Sequence, residues 1–597
     1  MKLVIFTVLV LSIIFALEIR TNMLEHGMEL DEFDPFYNYR ASLYLYENGH
    51  ESYQEWIDEL SWAEIGGRDV TETSQTTLHY FTAITYIPFE DYISFKDYTI
   101  ILPAILGSLT VVPVFLLTRT ITHRYEIGLI AGFLFAMTPT IISRASVGWF
   151  KSEPLGMFLG LFALWLIVSG IQRSSLPKLI IGGIVFGTAL SSWGGVIFFF
   201  IPLFLWLFVI KENSNKLQFG LACFIGSFYF TTFLFPRAYA LANDFIAPAL
   251  VVAVIFLMIK SKSKKIAYIF IVGLVVAGTV LIVSGEVELT NSRYLSALNP
   301  LGSDVDLHNS VMEHQQNNLM HFVFVNGVLL FLGIVGILVA IWYRMNWFIL
   351  ILAGTSIFIG MNMMRLELFS SLALVILSAI TLWKIYEILL VKKNTRILGI
   401  MVLGGVVLGL FVLYELAEDV SSREQIINMD NGIWVEALTW VKNNTPEDSK
   451  IMAWWDYGYW IQTVGERATY MDNSAKIPME NYANILTDEP QSGIDRLKEL
   501  GADYVIVFVR GIDHVDKVEL GIGGDYGKLE WIAKIGNRNT NDITMTNSLY
   551  TFMMPFDDNF VRDQSKIDTL NNMGAELVYQ VSSHEEQFAT IYLYKLN

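Results

Sequence analysis

Thirteen apolar runs of roughly 15 to 22 residues, joined by short polar segments, constrain this chain more than anything else in it. They fall at about 3–17, 97–118, 127–143, 154–170, 179–196, 197–210, 217–235, 245–258, 266–284, 322–342, 347–361, 368–390 and 397–416. In hydrocarbon each backbone N–H and C=O needs a partner within the protein, and a helix supplies one from its own segment. The chain therefore reads as a polytopic α-helical membrane protein. A mean hydropathy of +0.46 and 53% hydrophobic residues over 597 positions exclude a soluble globule of this size.

Basic residues set the predicted orientation. With Met1 inside, every second loop is basic: Arg119/His123/Arg124, Arg173/Lys178, Lys211/Lys216, Lys260/Lys262/Lys264/Lys265, Arg344 and Lys392/Lys393/Arg396. The opposite short loops hold fewer, chiefly Arg144, Lys151, Arg237 and Arg365. An odd number of spans then puts the N-terminus in the cytoplasm and the C-terminal tail outside. Leu3 to Leu17 is read as the first span, because only Glu18, Arg20 and an acidic run follow it, with no small-residue cleavage site. The single cysteine, Cys223, rules out an internal disulfide framework and a cysteine-rich zinc site. A net charge of −18 argues against a nucleic-acid partner.

The expected domains are 1–416, transmembrane with outer loops at 18–96, 143–153 and 285–321, and 417–597, an extracytoplasmic mixed α/β domain. Helical periodicity marks Trp434–Val441 and Ser492–Leu500. Asp503–Val509 reads as a buried strand, and Glu576–Tyr579 with Ala589–Leu596 as a terminal strand pair. No internal repeat or low-complexity linker is present.

Met452–Trp460 packs Trp454, Trp455, Tyr457, Tyr459 and Trp460 around one acid, Asp456. Such a wall suits a small polar chain; the same composition also suits a core strand. The first outer loop carries Glu29, Asp31, Glu32 and Asp34, then Pro35 and Phe36-Tyr37-Asn38-Tyr39-Arg40. That is either a solvated acidic loop or a carboxylate held at the membrane surface by aromatics. In the second, Gly148-Trp149-Phe150-Lys151-Ser152-Glu153 precedes Pro154 and a span, where an acid also serves as a helix-dipole partner. The fifth has Ser310-Val311-Met312-Glu313-His314-Gln315, with His314 read as polar surface. Arg365 is either a snorkelling anchor or the place for a lipid phosphate, with Glu367 as a possible partner. All lie on one predicted side, which suits a reaction between a lipid-borne phosphorylated group and a water-borne acceptor.

These residues resemble the catalytic subunit of oligosaccharyltransferase, in its single-subunit archaeal form. Trp454-Trp455-Asp456-Tyr457-Gly458 looks like the family signature. Glu32-Phe33-Asp34-Pro35 looks like its first acidic motif, Ser310-Val311-Met312-Glu313 its fifth-loop motif, and Arg365 the arginine that meets the lipid phosphate. The resemblance implies a GT-C-type glycosyltransferase that moves a glycan from a dolichol phosphate or pyrophosphate to the Asn amide of Asn-x-Ser/Thr, with inversion. It implies Asp34 and Glu153 as ligands of Mg²⁺ or Mn²⁺, and Asp34 and Glu313 on the acceptor amide. Trp454, Trp455 and Asp456 would grip the Ser/Thr hydroxyl, and Met479 is the candidate for the Thr methyl. Carboxylates accepting both amide N–H bonds would twist and orient a poor nucleophile. The implied partners are a lipid-linked oligosaccharide, an extended acceptor polypeptide and membrane lipids, with no further subunit.

Two positions depart from the family pattern. Lys151 stands where the second acidic motif usually has its first ligand. After the signature, Asp472 and Met479 keep their spacing, but Ala475 replaces a lysine, with Lys476 beside it. Other readings are another lipid-linked-sugar glycosyltransferase, a weakly active or non-catalytic sequon-binding paralogue, and a transporter. A transporter would want its charges nearer the midplane.

Overall fold

The computed structural model describes residues 2–210, 214–283, 297–298, 309–390, 396–474, 479–514, 517–520, 524–538, 548–556, 562–584 and 587–597. Ala475, Lys476 and most of 285–308 lie outside them. Chain contacts divide the molecule into two units. One comprises Met1–Met28 and Ser74–Arg423, the other Glu29–Thr73 and Glu424–Asn597.

In the first unit each of the thirteen expected spans falls on a helix. These are Lys2–Arg20, Phe95–Leu109 continued by Val111–Thr122, Tyr125–Ala136, Ser152–Arg173, Leu176–Ser192, Ile197–Val209, Asn215–Phe233, Pro236–Leu241 continued to Ala247–Lys262, Lys264–Val283, Leu319–Trp342, Trp347–Asn362, Glu367–Ile385 and Arg396–Ser421. Among the described residues, seven helices are long and apolar enough by themselves to cross a bilayer. The run at 127–143 is not one helix. It stops at Ala136 and resumes as Pro139–Ile142, because Thr138 is extended (ψ 117°) ahead of the proline.

The helices pack through small and hydroxyl residues. Ser378 Oγ donates to Leu329 O at 3.0 Å and Thr381 Oγ1 to Leu332 O at 2.7 Å, joining Glu367–Ile385 to Leu319–Trp342. At Gly336 a Cβ would lie 2.4 Å from Leu377 O, so this crossing admits only glycine.

The second unit is built on a mixed sheet. Its strands are β3 (Lys450–Met452), β4 (Ala468–Thr469), β5 (Tyr504–His514), β6 (Lys517–Leu520), β7 (Ala575–His584) and β8 (Gln587–Leu596), after a short hairpin of β1 (Ile57–Asp58) and β2 (Arg68–Asp69). The order is β4-β3-β5-β8-β7, with β6 also on β5. β3 runs parallel to β4 and β5, whereas β8 is antiparallel to β5 and β7. Val505–Val509 is buried at every position, as expected of a central strand covered on both faces. The expected helices appear as Met429–Asn444 and Pro490–Glu499.

Residues 29–73 of the first long loop belong to this second unit. Arg40 donates to both carboxylate oxygens of Asp58 (2.5 and 2.7 Å) and to Gln462 Oε1 (2.9 Å). Trp460 Nε1 donates to Glu32 O at 2.9 Å, and the Phe33 ring lies 4.5 Å from that of Trp460.

Candidate functional site

Each unit carries its own cluster. In the second, β3 ends at Met452, and the aromatic stretch leaves the sheet as a single 3-10 turn, Trp455–Tyr457, running into the Gly458–Thr463 helix. The core-strand reading of Trp454–Trp460 is thus overturned. The stretch lies off the carboxyl end of parallel β3, the end where open α/β sheets bind ligands. Gly458 permits the sharp exit, since a Cβ there would sit 2.3 Å from Met471 O and 2.8 Å from Asp472 Cα.

Trp454 is buried, whereas Trp455 and Asp456 are partly exposed. The Trp455 Nε1 atom is itself buried and, among the described residues, donates to nothing. Asp456 Oδ2 accepts from Lys528 Nζ at 2.6 Å. Behind the turn, Tyr457 donates to Asp525 Oδ1 at 3.0 Å, and the Phe508 N–H donates to Asp525 Oδ2 at 2.7 Å. Burial pushes the Asp525 carboxyl up to about 6.

Asp472 is fully buried and accepts from Trp62 Nε1 and Gln462 Nε2, each at 3.3 Å. Met479 opens the Met479–Leu486 helix as a buried residue. Asp34 is the first residue of Asp34–Gln54, with Pro35 in the first turn, where an acid and a proline both favour a helix start.

The cluster of the first unit gathers Glu153, Glu313 and Arg365, and adds Arg144. Glu153 is the second residue of Ser152–Arg173. Glu313 lies in the one-turn helix Met312–His314, and Arg365 in Met364–Leu366 between two spans. Arg365 bridges the two acids, with Nη2 on Glu153 Oε1 (2.5 Å) and Nη1 on Glu313 Oε1 (2.6 Å). Arg144 Nη1 takes the other oxygen of Glu313 at 2.8 Å. Lys151 is buried, with its Nζ 4.5 Å from the centre of the Trp149 ring. Although burial opposes ionisation of Glu313, Arg365, Arg144 and Lys151 together hold its carboxyl well below the usual range. Glu367, the expected partner of Arg365, instead accepts from Asn326 at 3.2 Å and lies 3.3 Å from His321. Two carboxylates thus meet three cations, and the excess is positive.

The model for the N-terminal part of "Oligosaccharyl transferase STT3" matches residues 4–238. The dolichyl-diphosphooligosaccharide–protein glycosyltransferase subunit STT3 of Dictyostelium discoideum is 24% identical, over 89% of this chain and 81% of its own length. The Saccharomyces cerevisiae subunit STT3 is likewise 24% identical, over 85% and 77%. Residues 4–238 thus carry the similarity to the oligosaccharyltransferase catalytic subunit, and the weaker likeness to these relatives extends over most of the chain. The archaeal oligosaccharyltransferase AglB from Archaeoglobus fulgidus, solved with an inhibitory peptide and a dolichol-phosphate, shares the fold, with a TM-score of 0.72, 19% identity, and coverage of 85% of this chain and 69% of that one. A second structure of the A. fulgidus enzyme, in complex with Zn and sulfate, has a TM-score of 0.63 at 21% identity, over 84% and 67%. With its run of apolar helices the chain is a multi-pass membrane protein that shares the fold of the A. fulgidus oligosaccharyltransferase.

Sequence reading missed Lys528, Asp525 and the ion-pairing role of Arg144. Arg144 was visible only as a charge in an outer loop. Lys528 and Asp525 lie about 70 residues beyond the aromatic stretch in an ordinary helix, Asp525–Ile535, and no spacing flags them.

Proposed function

We propose that this chain moves an oligosaccharide from a dolichol-linked phosphate or pyrophosphate donor to the Asn amide of Asn-x-Ser/Thr sequons. The observation that carries this reading is the Trp455–Asp456 turn. A buried indole N–H without a partner and a carboxylate oxygen, Asp456 Oδ1, that among the described residues accepts nothing lie one residue apart. A hydroxyl can accept from the one and donate to the other; a methyl can do neither. Trp454 closes the same wall, and Met479 is assigned to the Thr methyl.

The cationic cluster takes the donor. Arg365, Arg144 and Lys151 outnumber the two acids they face, which suits a phosphate leaving group whose charge grows as the glycosidic bond breaks. The remaining roles follow the family: Asp34 and Glu313 accept from the acceptor amide, and attack opposite the phosphate inverts the anomeric centre. The N-terminus is assigned to the cytoplasm and the C-terminal unit to the outside, and the chain acts without a further subunit.

The expected Mg²⁺ or Mn²⁺ does not fit these residues as they stand. Glu153 is held by Arg365 beside Lys151, and among the described residues no three His, Cys, Asp or Glu side chains gather. Three neighbouring cations oppose a divalent ion. No step is therefore routed through a metal.

The test of the mechanism is glycan transfer from lipid-linked donors to an Asn-x-Thr peptide by the purified, reconstituted chain, with and without Mn²⁺. Asp34→Ala and Glu313→Ala are each expected to lower the rate at least about a hundredfold, the scale of a lost transition-state contact. An active chain indifferent to both substitutions contradicts it.

A further inference from the structure

The family pattern places a lysine three residues after Asp472, and this chain has Ala475 there. The structure supplies an ammonium to the aromatic turn from elsewhere in the same unit. Lys528, on the Asp525–Ile535 helix, donates to Asp456 Oδ2 at 2.6 Å and to the Tyr457 hydroxyl at 3.2 Å. Its Nζ also lies 4.8 Å from the centre of the Tyr457 ring. The pair is neither buried nor free in water, with side-chain exposures of 28% for Lys528 and 14% for Asp456.

The three contacts hold the ammonium on both flanks. Tyr457 is fixed by its own hydrogen bond to buried Asp525, and Asp525 in turn by the Phe508 N–H of β5. The chain of contacts therefore runs from the central strand through Asp525, Tyr457 and Lys528 to Asp456. Each link restricts the next, so the Asp456 carboxylate is held by one oxygen and presents the other. The other lysine of this helix, Lys534 near its C-terminus, makes no such contact. Lys534 pairs with Glu530 on the exposed face at 2.6 Å, and that pair is an ordinary i,i+4 ion pair.

We propose that Lys528 is a positioning residue for acceptor selection: its ammonium holds Asp456 by Oδ2 and so presents Oδ1 to the hydroxyl of the acceptor's Ser or Thr. The inference rests on the sequon reading above and deepens it by naming what orients the recognising carboxylate. It assigns to Lys528 no contact with the reacting amide or the donor. Its loss acts on acceptor binding and on the preference for a hydroxyl-bearing residue, and leaves the bond-forming step alone.

The experiment uses the full-length chain in proteoliposomes, with Lys528→Met, Lys528→Arg and the control Lys534→Met. Two quantities are read separately: the Kd of Asn-x-Thr and Asn-x-Ala peptides by tryptophan fluorescence, and KM and kcat for glycan transfer to Asn-x-Thr. The expected result for Lys528→Met is an Asn-x-Thr Kd and KM raised about tenfold, the scale of a charge-assisted hydrogen bond, with kcat within about threefold of the parent. The Thr-over-Ala preference should fall with it, Lys528→Arg should restore most of it, and Lys534→Met should change nothing. An unchanged Thr-over-Ala preference in Lys528→Met overturns the inference, as does a loss that Lys534→Met shares or one confined to kcat. A parent chain that prefers Asn-x-Thr in binding but transfers no glycan overturns the transferase reading alone, and the binding arm still decides Lys528.

Discussion

Arg365 is held by two buried or half-buried acids at once, so its replacement is costly in a way that its charge alone does not convey. Removing it leaves Glu153, 1% exposed, without its ion-pair partner. Loss of one partner of such a pair costs about 3–5 kcal/mol. Arg365→Met should therefore lower the detergent-solubilised melting temperature, and the double variant Arg365→Met/Glu153→Gln should recover part of it. A single variant as stable as the parent would show the bridge to be energetically idle. Asp525 gives a second residue-scale prediction. Its folded-state value of about 6 lies above the unfolded value, so the folded state binds the proton more tightly. Stability then falls as pH rises from about 4 to about 6 and is level above that, by roughly 3 kcal/mol at 1.36 kcal/mol per unit. Asp525→Asn should flatten this slope in urea unfolding followed by tryptophan fluorescence; a slope that persists contradicts the assignment. Neither role was legible in the sequence. Asp525 and Arg365 read as isolated charges until folding chooses their partners, and Glu367, two residues from Arg365, was the more obvious candidate than Glu153 or Glu313.

Among the elements, the spans were legible because length and apolarity are properties of a contiguous segment. What escaped was the break at Thr138–Pro139, which periodicity hides and only local backbone conformation reveals. β5 was legible for the same reason as the spans, since its five-residue buried core is an unbroken apolar run. The aromatic turn was ambiguous because Trp and Tyr favour strands in general, yet here the strand ends at Met452 and the turn that follows runs, at Gly458, hard against Met471 and Asp472. Gly458→Ala tests that account. A Cβ pressed against two backbone atoms, neither of which can swing aside, costs about 1–3 kcal/mol. The expected outcome is a lower melting temperature of the second unit together with weaker Asn-x-Thr binding, because the displaced backbone also carries Trp455 and Asp456. Unchanged melting and binding would mean that the turn does not depend on that close approach.

At the scale of the whole molecule, the division into units follows a route that no composition shift announces. Residues 29–73 are separated from 424–597 by most of the spans, yet they share one unit, tied by the Arg40–Asp58–Gln462 contacts and by Trp460 on Glu32. A linear boundary near 417 was all that sequence could offer, because long-range pairing of a loop with a distant domain leaves no local trace. The resemblance was more legible than the architecture: four short motifs in family order pointed to it before any coordinates, and the similarity of residues 4–238 to the STT3 model and of most of the chain to the STT3 subunits agrees. The departures from those motifs carry what is specific to this chain, a surplus of cations around Glu153 and Glu313 and a lysine from a distant helix on Asp456. The most direct measurement of the central claim is mass spectrometry of the peptide after incubation with the reconstituted chain and lipid-linked oligosaccharides, using Asn-x-Thr, Gln-x-Thr and Asn-x-Ala sequences in parallel. The account predicts a glycan on the Asn side chain of Asn-x-Thr, with none on Gln-x-Thr and little on Asn-x-Ala; a glycan on the Thr hydroxyl, or equal modification of Asn-x-Thr and Asn-x-Ala, would contradict it.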